Sequence, residues 1–262
     1  GGVGGGGGGV DPFVGLLDAY PGAAAAYSVR QLSSTYTAPT ASEFSFGNAL
    51  DFDGVNDYVS VGINLDPALA NNFGFSCWFK TTSTTTVANR VADPFVGFAN
   101  DLWTSAVGLN GGKITTMSYD GGVIQNEGSN TFNDGQWHCM TMLRTRGVTD
   151  ILATASVWVD GVLELDAVNF NIISGGYRWA DLGVSRPTEY ADVTLDEMVF
   201  YQGVGLSIGL SENSSYYNNG NGALATDVFS DIYAYYRMNE SGTDTTLTDE
   251  TGNYNGTLNG FT

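Results

Sequence analysis

From Phe46 onward, apolar residues recur with a period of two inside short segments that Gly, Asn and Asp interrupt. Phe73, Phe75, Cys77 and Phe79 alternate with Ser76, Trp78 and Lys80. Successive side chains of an extended strand face opposite ways, so this period marks half-buried strands and excludes amphipathic helices. Ala49 to Val61 reads as strand, tight turn, strand: Leu50 and Phe52 alternate with Asp51 and Asp53, and Asp53 to Asp57 carry the turn chemistry. Val157-Trp158-Val159 and Val162 to Leu165 flank Asp160-Gly161, the strongest short hairpin signal. Further strands are predicted at Val107–Leu109, Ile114–Tyr119, Val123–Gln125, Trp137–Leu143, Val193–Tyr201 and Tyr233–Met238. The expected fold is all-β, a two-sheet antiparallel sandwich over residues 45–262.

Residues 1–44 read differently, as a short, partly helical, Gly-rich leader. Gly1 to Val10 is almost pure glycine, which suits a flexible linker or packed polyglycine chains in an assembly contact. Ala25, Val29, Leu32 and Tyr36 fall on one face of a short helix, which is marginal alone and needs a surface to dock on. The chain starts on Gly1 rather than Met, so the expectation is that residues were removed before it. With 28 acidic against nine basic residues the net charge is −19, which repels nucleic acid and anionic membrane surfaces. No apolar run is long enough to span a bilayer.

Several motifs carry a family resemblance. Leu50-Asp-Phe-Asp-Gly-Val-Asn-Asp-Tyr-Val59, Asp134-Gly-Gln-Trp-His-Cys-Met140, Val157-Trp-Val-Asp-Gly-Val162 and Leu195-Asp-Glu-Met-Val-Phe-Tyr201 resemble, in order, the signatures of laminin G-like domains with the concanavalin A-like jelly roll. Tyr235 to Gly242 and Thr248 to Leu258 resemble a further motif that opens many relatives and here closes the domain. In the leader, Gly22 to Thr37 resembles a segment of marine bacteriophage tail and fibre proteins.

The resemblance implies candidate sites. In the pentraxin branch of this fold a disulfide joins strands at what look like the places of Cys77 and Cys139, so a bridge is expected; two reduced core thiols are the alternative. Relatives often hold a structural calcium between the closing turn and the Asp-Glu strand, which implies Asp196 and Asp249, with Asn253 beside them, as Ca2+ ligands. Trp103, Tyr177, Trp179 and Tyr190 lie in loop-like stretches and are candidates for stacking on sugar rings. Glu164-Leu-Asp166-Ala-Val-Asn169 resembles the carboxylate strand of concanavalin-like glucanases, but Asn169 stands where the acid would be and cannot donate its proton. His138, the single histidine, lacks a second His or a Cys pair for zinc and is expected to be structural.

These readings favour a non-enzymatic virion protein, a tail, fibre or capsid-surface component whose lectin-like jelly roll serves assembly and host-glycan attachment at the particle surface. Its partners would be further copies, a trimer first, and other virion proteins. The leader's Phe13, Leu16, Leu17, Val29 and Leu32 need cover that so short a segment cannot supply itself. The alternative is a secreted or cell-surface bacterial carbohydrate-binding module.

Overall fold

In the computed structural model the described residues are 48–64, 72–99, 104–119, 122–147, 153–171, 179–186, 189–203, 206–241 and 244–261. The leader, residues 1–44, lies outside them. Strands β1 (Leu50–Asp53), β3 (Asn72–Lys80), β8 (His138–Thr145), β9 (Thr154–Val159), β10 (Val162–Asn169), β14 (Asp192–Gly203) and β15 (Ile232–Tyr236) form one sheet. Its order is β1-β14-β3-β8-β9-β10, with β15 also on β14. The second sheet has the order β16-β17-β2-β11-β4-β5-β6-β7. Those strands are β2 (Tyr58–Asn64), β4 (Asp93–Ala99), β5 (Thr104–Asn110), β6 (Lys113–Tyr119), β7 (Val123–Thr131), β11 (Trp179–Leu182), β16 (Thr246–Leu247) and β17 (Gly256–Asn259). A small hairpin, β12 (Val184–Arg186) and β13 (Glu189–Tyr190), completes the strands. All recorded pairings are antiparallel, as the alternation predicts.

The predicted period places the core. Phe73, Phe75, Cys77 and Phe79 of β3 point between the sheets, where they meet Phe95, Phe98 and Phe200. Each such aromatic contributes about 2–3 kcal/mol through the apolar area it removes from water. The turn between β9 and β10 has positive φ at both Asp160 and Gly161, the requirement of a type I′ hairpin. The two outer edges β7 and β10 are laced together. Asn130 donates to Glu164 Oε1 at 2.7 Å, and Asn126 donates to the Asn169 carbonyl at 3.0 Å.

Helix was not read from the sequence after residue 44, yet α1 (Leu210–Tyr217) and the single turn α2 (Ala225–Val228) cover the outer face of the first sheet. Glu212 at the start of α1 accepts the Gly209 N–H at 2.9 Å, and Asn218 ends the helix with left-handed φ and ψ. Under α1, Trp78 stacks on Tyr217 with ring centroids 5.9 Å apart, and Tyr201 packs against Phe229. Among the described residues no helix is long and apolar enough to cross a membrane.

Candidate functional site

The outer face of the eight-stranded sheet brings aromatic and polar side chains together. Val59, Val61 and Ile63 of β2 are buried in the core, so Tyr58 and Ser60, which alternate with them, lie on the outer side and are half-buried there. On β11, Asp181 faces Ser60 across one edge and Gly97 across the other. Gly97 lets the β12–β13 hairpin lie directly on the sheet: a Cβ there would come within 2.1 Å of the Val184 carbonyl oxygen. Gly183, at φ +75°, makes the bend that starts this hairpin. Its far strand is pinned by Glu189, whose carboxylate pairs with Arg90 and accepts the Ser185 hydroxyl at 2.7 Å.

This fold-back brings Tyr190 beside Tyr58, with ring centroids 6.3 Å apart and the planes tilted by 43°. Asp181 is half-buried, and burial raises its carboxyl above the usual range while the Ser60 hydroxyl opposes the rise. Thr257 and Asn259 of β17 stand opposite Ser60 and Tyr58. Aromatic rings beside fixed hydroxyls, an amide and a carboxylate can stack on an apolar face of a ligand while exchanging hydrogen bonds with its hydroxyl groups.

Of the four predicted ligand aromatics, Tyr190 belongs to this face. Trp179 is placed by register at the start of β11, opposite Asn64 and Ala99. Trp103 and Tyr177 lie outside the described residues; the strand ends that border them, Thr104, Ala99 and Trp179, stand opposite one another in the sheet. Tyr58, Ser60 and Asp181 were not singled out from sequence. The signal for the first two was the alternation of Tyr58 and Ser60 with Val59 and Val61.

The predicted calcium ligands sit in two environments. Asp249 closes the last turn. Its Oδ1 accepts the N–H groups of Tyr235 and Thr251, and its Oδ2 accepts the Thr251 hydroxyl and the N–H groups of Asn253 and Tyr254, all at 2.6–3.0 Å. Burial alone would raise this carboxyl, but those donors together hold it below the usual range. The N–H and carbonyl of Tyr235 both bond to this turn, so Asp249 lies on the side of β15 away from β14. Asp196 is on β14 itself, where the edge partner changes from β1 to β15. It is 1% exposed; Oδ1 accepts the Glu197 N–H, and Oδ2 has no hydrogen-bond partner. Burial, then Glu197, push its carboxyl to about 8. Glu197, at φ +50°, turns inward to Tyr235 Oη and to Arg237 Nε at 3.1 Å. The donor set does not fit a shared calcium: Asp249 is fully engaged, and Asn253 gives its amide to Thr251. Among the described residues no group of three or more His, Cys, Asp or Glu is placed to hold a metal ion.

Residues 53–205 match the family model described as the concanavalin A-like lectin/glucanases superfamily, of laminin G type. The chain belongs to this superfamily. No curated protein matches it. Among solved structures it is similar to a protein from Bacteroides ovatus described as a candidate carbohydrate-binding protein, at TM-score 0.52 and 12% identity over 82% of this chain. The chain spans 59% of that protein's length. It is also similar to a heptameric pentraxin from Limulus polyphemus (TM-score 0.48, 11% identity, 82% of this chain and 96% of that one). A third is domain 4 of an extracellular arabinanase from Geobacillus stearothermophilus (TM-score 0.46, 18% identity, 63% of this chain and 74% of that one).

Three expectations drawn from the resemblance can be set against the geometry. The disulfide is corrected: Cys77 and Cys139 are both free and buried. Cys77 stands opposite Met140, and Cys139 stands opposite Trp78, so the two thiols leave their strands on opposite faces of the sheet. Cys77 faces the main core and Cys139 the cluster under α1. The glucanase-like strand forms no carboxylate pair, because Glu164 reaches sideways to Asn130 on β7 and Asp166 is exposed. His138 is held between Asp160 at 2.7 Å and Asp134 at 3.2 Å, against the rings of Phe79 and Phe132. Burial lowers its pKa, but the two carboxylates outweigh that and leave it raised.

Proposed function

We propose that this chain is a non-enzymatic glycan-binding domain. Membership of a lectin-containing superfamily supports the reading, and one observation carries it: the β12–β13 hairpin folds over the sheet and sets Tyr190 beside Tyr58, within the polar row that holds Ser60 and Asp181. The absence of an acid at position 169 and the sideways turn of Glu164 favour binding over hydrolysis. The structural neighbours described as carbohydrate binders agree in fold with this reading.

The site of action proposed is the virion surface, on the strength of the Gly22–Thr37 segment, with copies assembled through the leader as a trimer. A secreted bacterial module with the same glycan face is the second reading.

A glycan array tests the function. The full chain is expected to bind a subset of saccharides, and Tyr190→Ala and Asp181→Ala are each expected to weaken that binding about tenfold, the size of one lost polar or stacking contact. Binding that survives both changes intact would place the site elsewhere. Mass spectrometry of purified particles from the source, and light scattering on the full chain, test the virion and trimer readings.

A further inference from the structure

The outer face does not end at β17. Thr246 of β16 stands opposite Thr257, Thr257 opposite Ser60, and Ser60 opposite Asp181. Leu247 is buried in the core, which leaves its neighbour Thr246 on the outer side with the others. This row crosses four strands, about 14 Å at the usual spacing between neighbours. At its far end Thr246 enters a cleft of about 560 Å³, whose walls include Arg237, Glu240, Asp244, Thr245 and Glu250. These residues lie beyond the segment that matches the superfamily model.

The chemistry of the cleft narrows its ligand. Among the described residues no apolar side chain lines it, so a lipid or an aromatic ligand would gain little by entering. Its three carboxylates face one guanidinium whose Nε is already held by Glu197 from the buried side, so a phosphate, sulfate or sialate would be repelled. Hydrogen-bond acceptors predominate and are fixed in place. Asp244 Oδ2 is held by the Ser241 N–H at 2.7 Å and Glu240 Oε1 by the Thr248 N–H at 2.8 Å; Glu240 Oε2 is buried, so the carboxylates open to a ligand are those of Asp244 and Glu250, both exposed. A ligand hydroxyl offers one donor and two acceptor positions, so neighbouring sugar hydroxyls can donate to these carboxylates and accept from Arg237 and the threonines.

We infer that the cleft is a second saccharide subsite continuous with the Tyr58–Tyr190 face, and that the ligand is a neutral glycan chain longer than a disaccharide. This rests on the glycan-binding reading. Its test is chain length: titration of the full chain with neutral oligosaccharides of two to six residues, from whichever series the array selects. Affinity is expected to rise with length and then level off. In the double variant Glu250→Ala, Thr246→Val, the longest oligosaccharide is expected to lose at least tenfold while the disaccharide is unchanged, with the melting temperature preserved as a control of folding. Equal affinity for all lengths, or a double variant that behaves as the parent, overturns the second subsite but leaves the Tyr190 site standing. Stronger binding of a sialylated oligosaccharide overturns the neutral class. Amide NMR shifts at Thr245, Thr246 and Glu250 on adding spermidine or calcium chloride, with none on adding the oligosaccharide, would make the cleft a cation site and also sink the proposal. No binding of any saccharide fails the glycan reading itself.

Discussion

Asp196 and Asp249 flank the same strand, β15, and meet burial in opposite ways. Asp249 gathers five donors from its own turn and from Tyr235, so its charge is solvated by the protein. Asp196 has one backbone donor, an acidic neighbour and an oxygen with no partner, and it keeps its proton at neutral pH. The difference teaches that an acidic residue at a family motif position says little about charge. The number of N–H groups that the local backbone points at the carboxylate decides it.

The largest effect expected from this contrast is on the satisfied side. Asp249→Ala leaves four backbone N–H groups and a hydroxyl without their acceptor and should destabilise the chain by about 3–4 kcal/mol in urea unfolding. A loss under about 1 kcal/mol would mean that water replaces the carboxylate easily, and the contrast would collapse. Next comes the acidic pair on β14. Arg237→Gln removes the cation beside Glu197, which is 1% exposed, and should cost about 2–3 kcal/mol, discounted because Arg237 is one-third exposed.

The pH dependence separates the two carboxyls by sign. The folded pKa of Asp249 lies below its unfolded value, so its contribution is present above about pH 4 and is lost as pH falls through the folded value. Asp196 is raised to about 8, so the folded state holds the extra proton, and stability falls as pH rises from about 4 to about 8. Asp196→Asn should therefore melt above the parent at pH 8.5, with the gap closing at pH 4. Parallel pH profiles for the two proteins would show that Asp196 does not hold its proton.

A smaller effect belongs to His138. Its raised pKa means that the clamp on Asp160 and Asp134 is fully present below pH 6.5 and is lost as pH rises through the folded value. His138→Gln should remove about 0.5–1 kcal/mol at pH 5.5 and close to nothing at pH 9. The smallest effects concern the cysteine pair and the calcium that the superfamily led one to expect. Thiol titration of unreduced, denatured protein should count two reactive cysteines, and neither reductant nor chelator should move the melting temperature by more than about 1 °C. A stabilisation of several degrees by calcium would restore Asp196 and Asp249 to a shared site.

Much of the fold was legible because it is local. Asp160-Gly161 announces its hairpin, and the alternation along β3 names the core side of each residue. What escaped depends on partners distant in sequence. The face that Cys139 takes is settled by its register against Trp78, 61 residues earlier, and no pattern in either strand encodes it. The β12–β13 fold-back depends on the missing side chain of Gly97, far from the hairpin it admits. The place of Tyr190 beside Tyr58 and Asp181 rests on that fold-back and is not written in any of the three strands, although the alternation along β2 does put Tyr58 outside the core. Helix α1 was missed because Leu210-Ser-Glu-Asn-Ser-Ser-Tyr-Tyr217 has few apolar positions, and its aromatic end finds cover only through the fold, Tyr217 on Trp78 and Tyr216 on Phe229.

The lacing of β7 to β10 has a consequence for crowded surroundings. An open sheet edge is a template on which any neighbouring chain can add a strand, and densely packed copies would meet that hazard constantly. Here the amides of Asn126 and Asn130 reach across from one edge to the other, and Gly128, whose Cβ would lie 3.2 Å from Glu164 Oε2, keeps the seam tight. On that flank a strand added by another chain would first have to displace both amide contacts, which raises the barrier to edge-to-edge pairing.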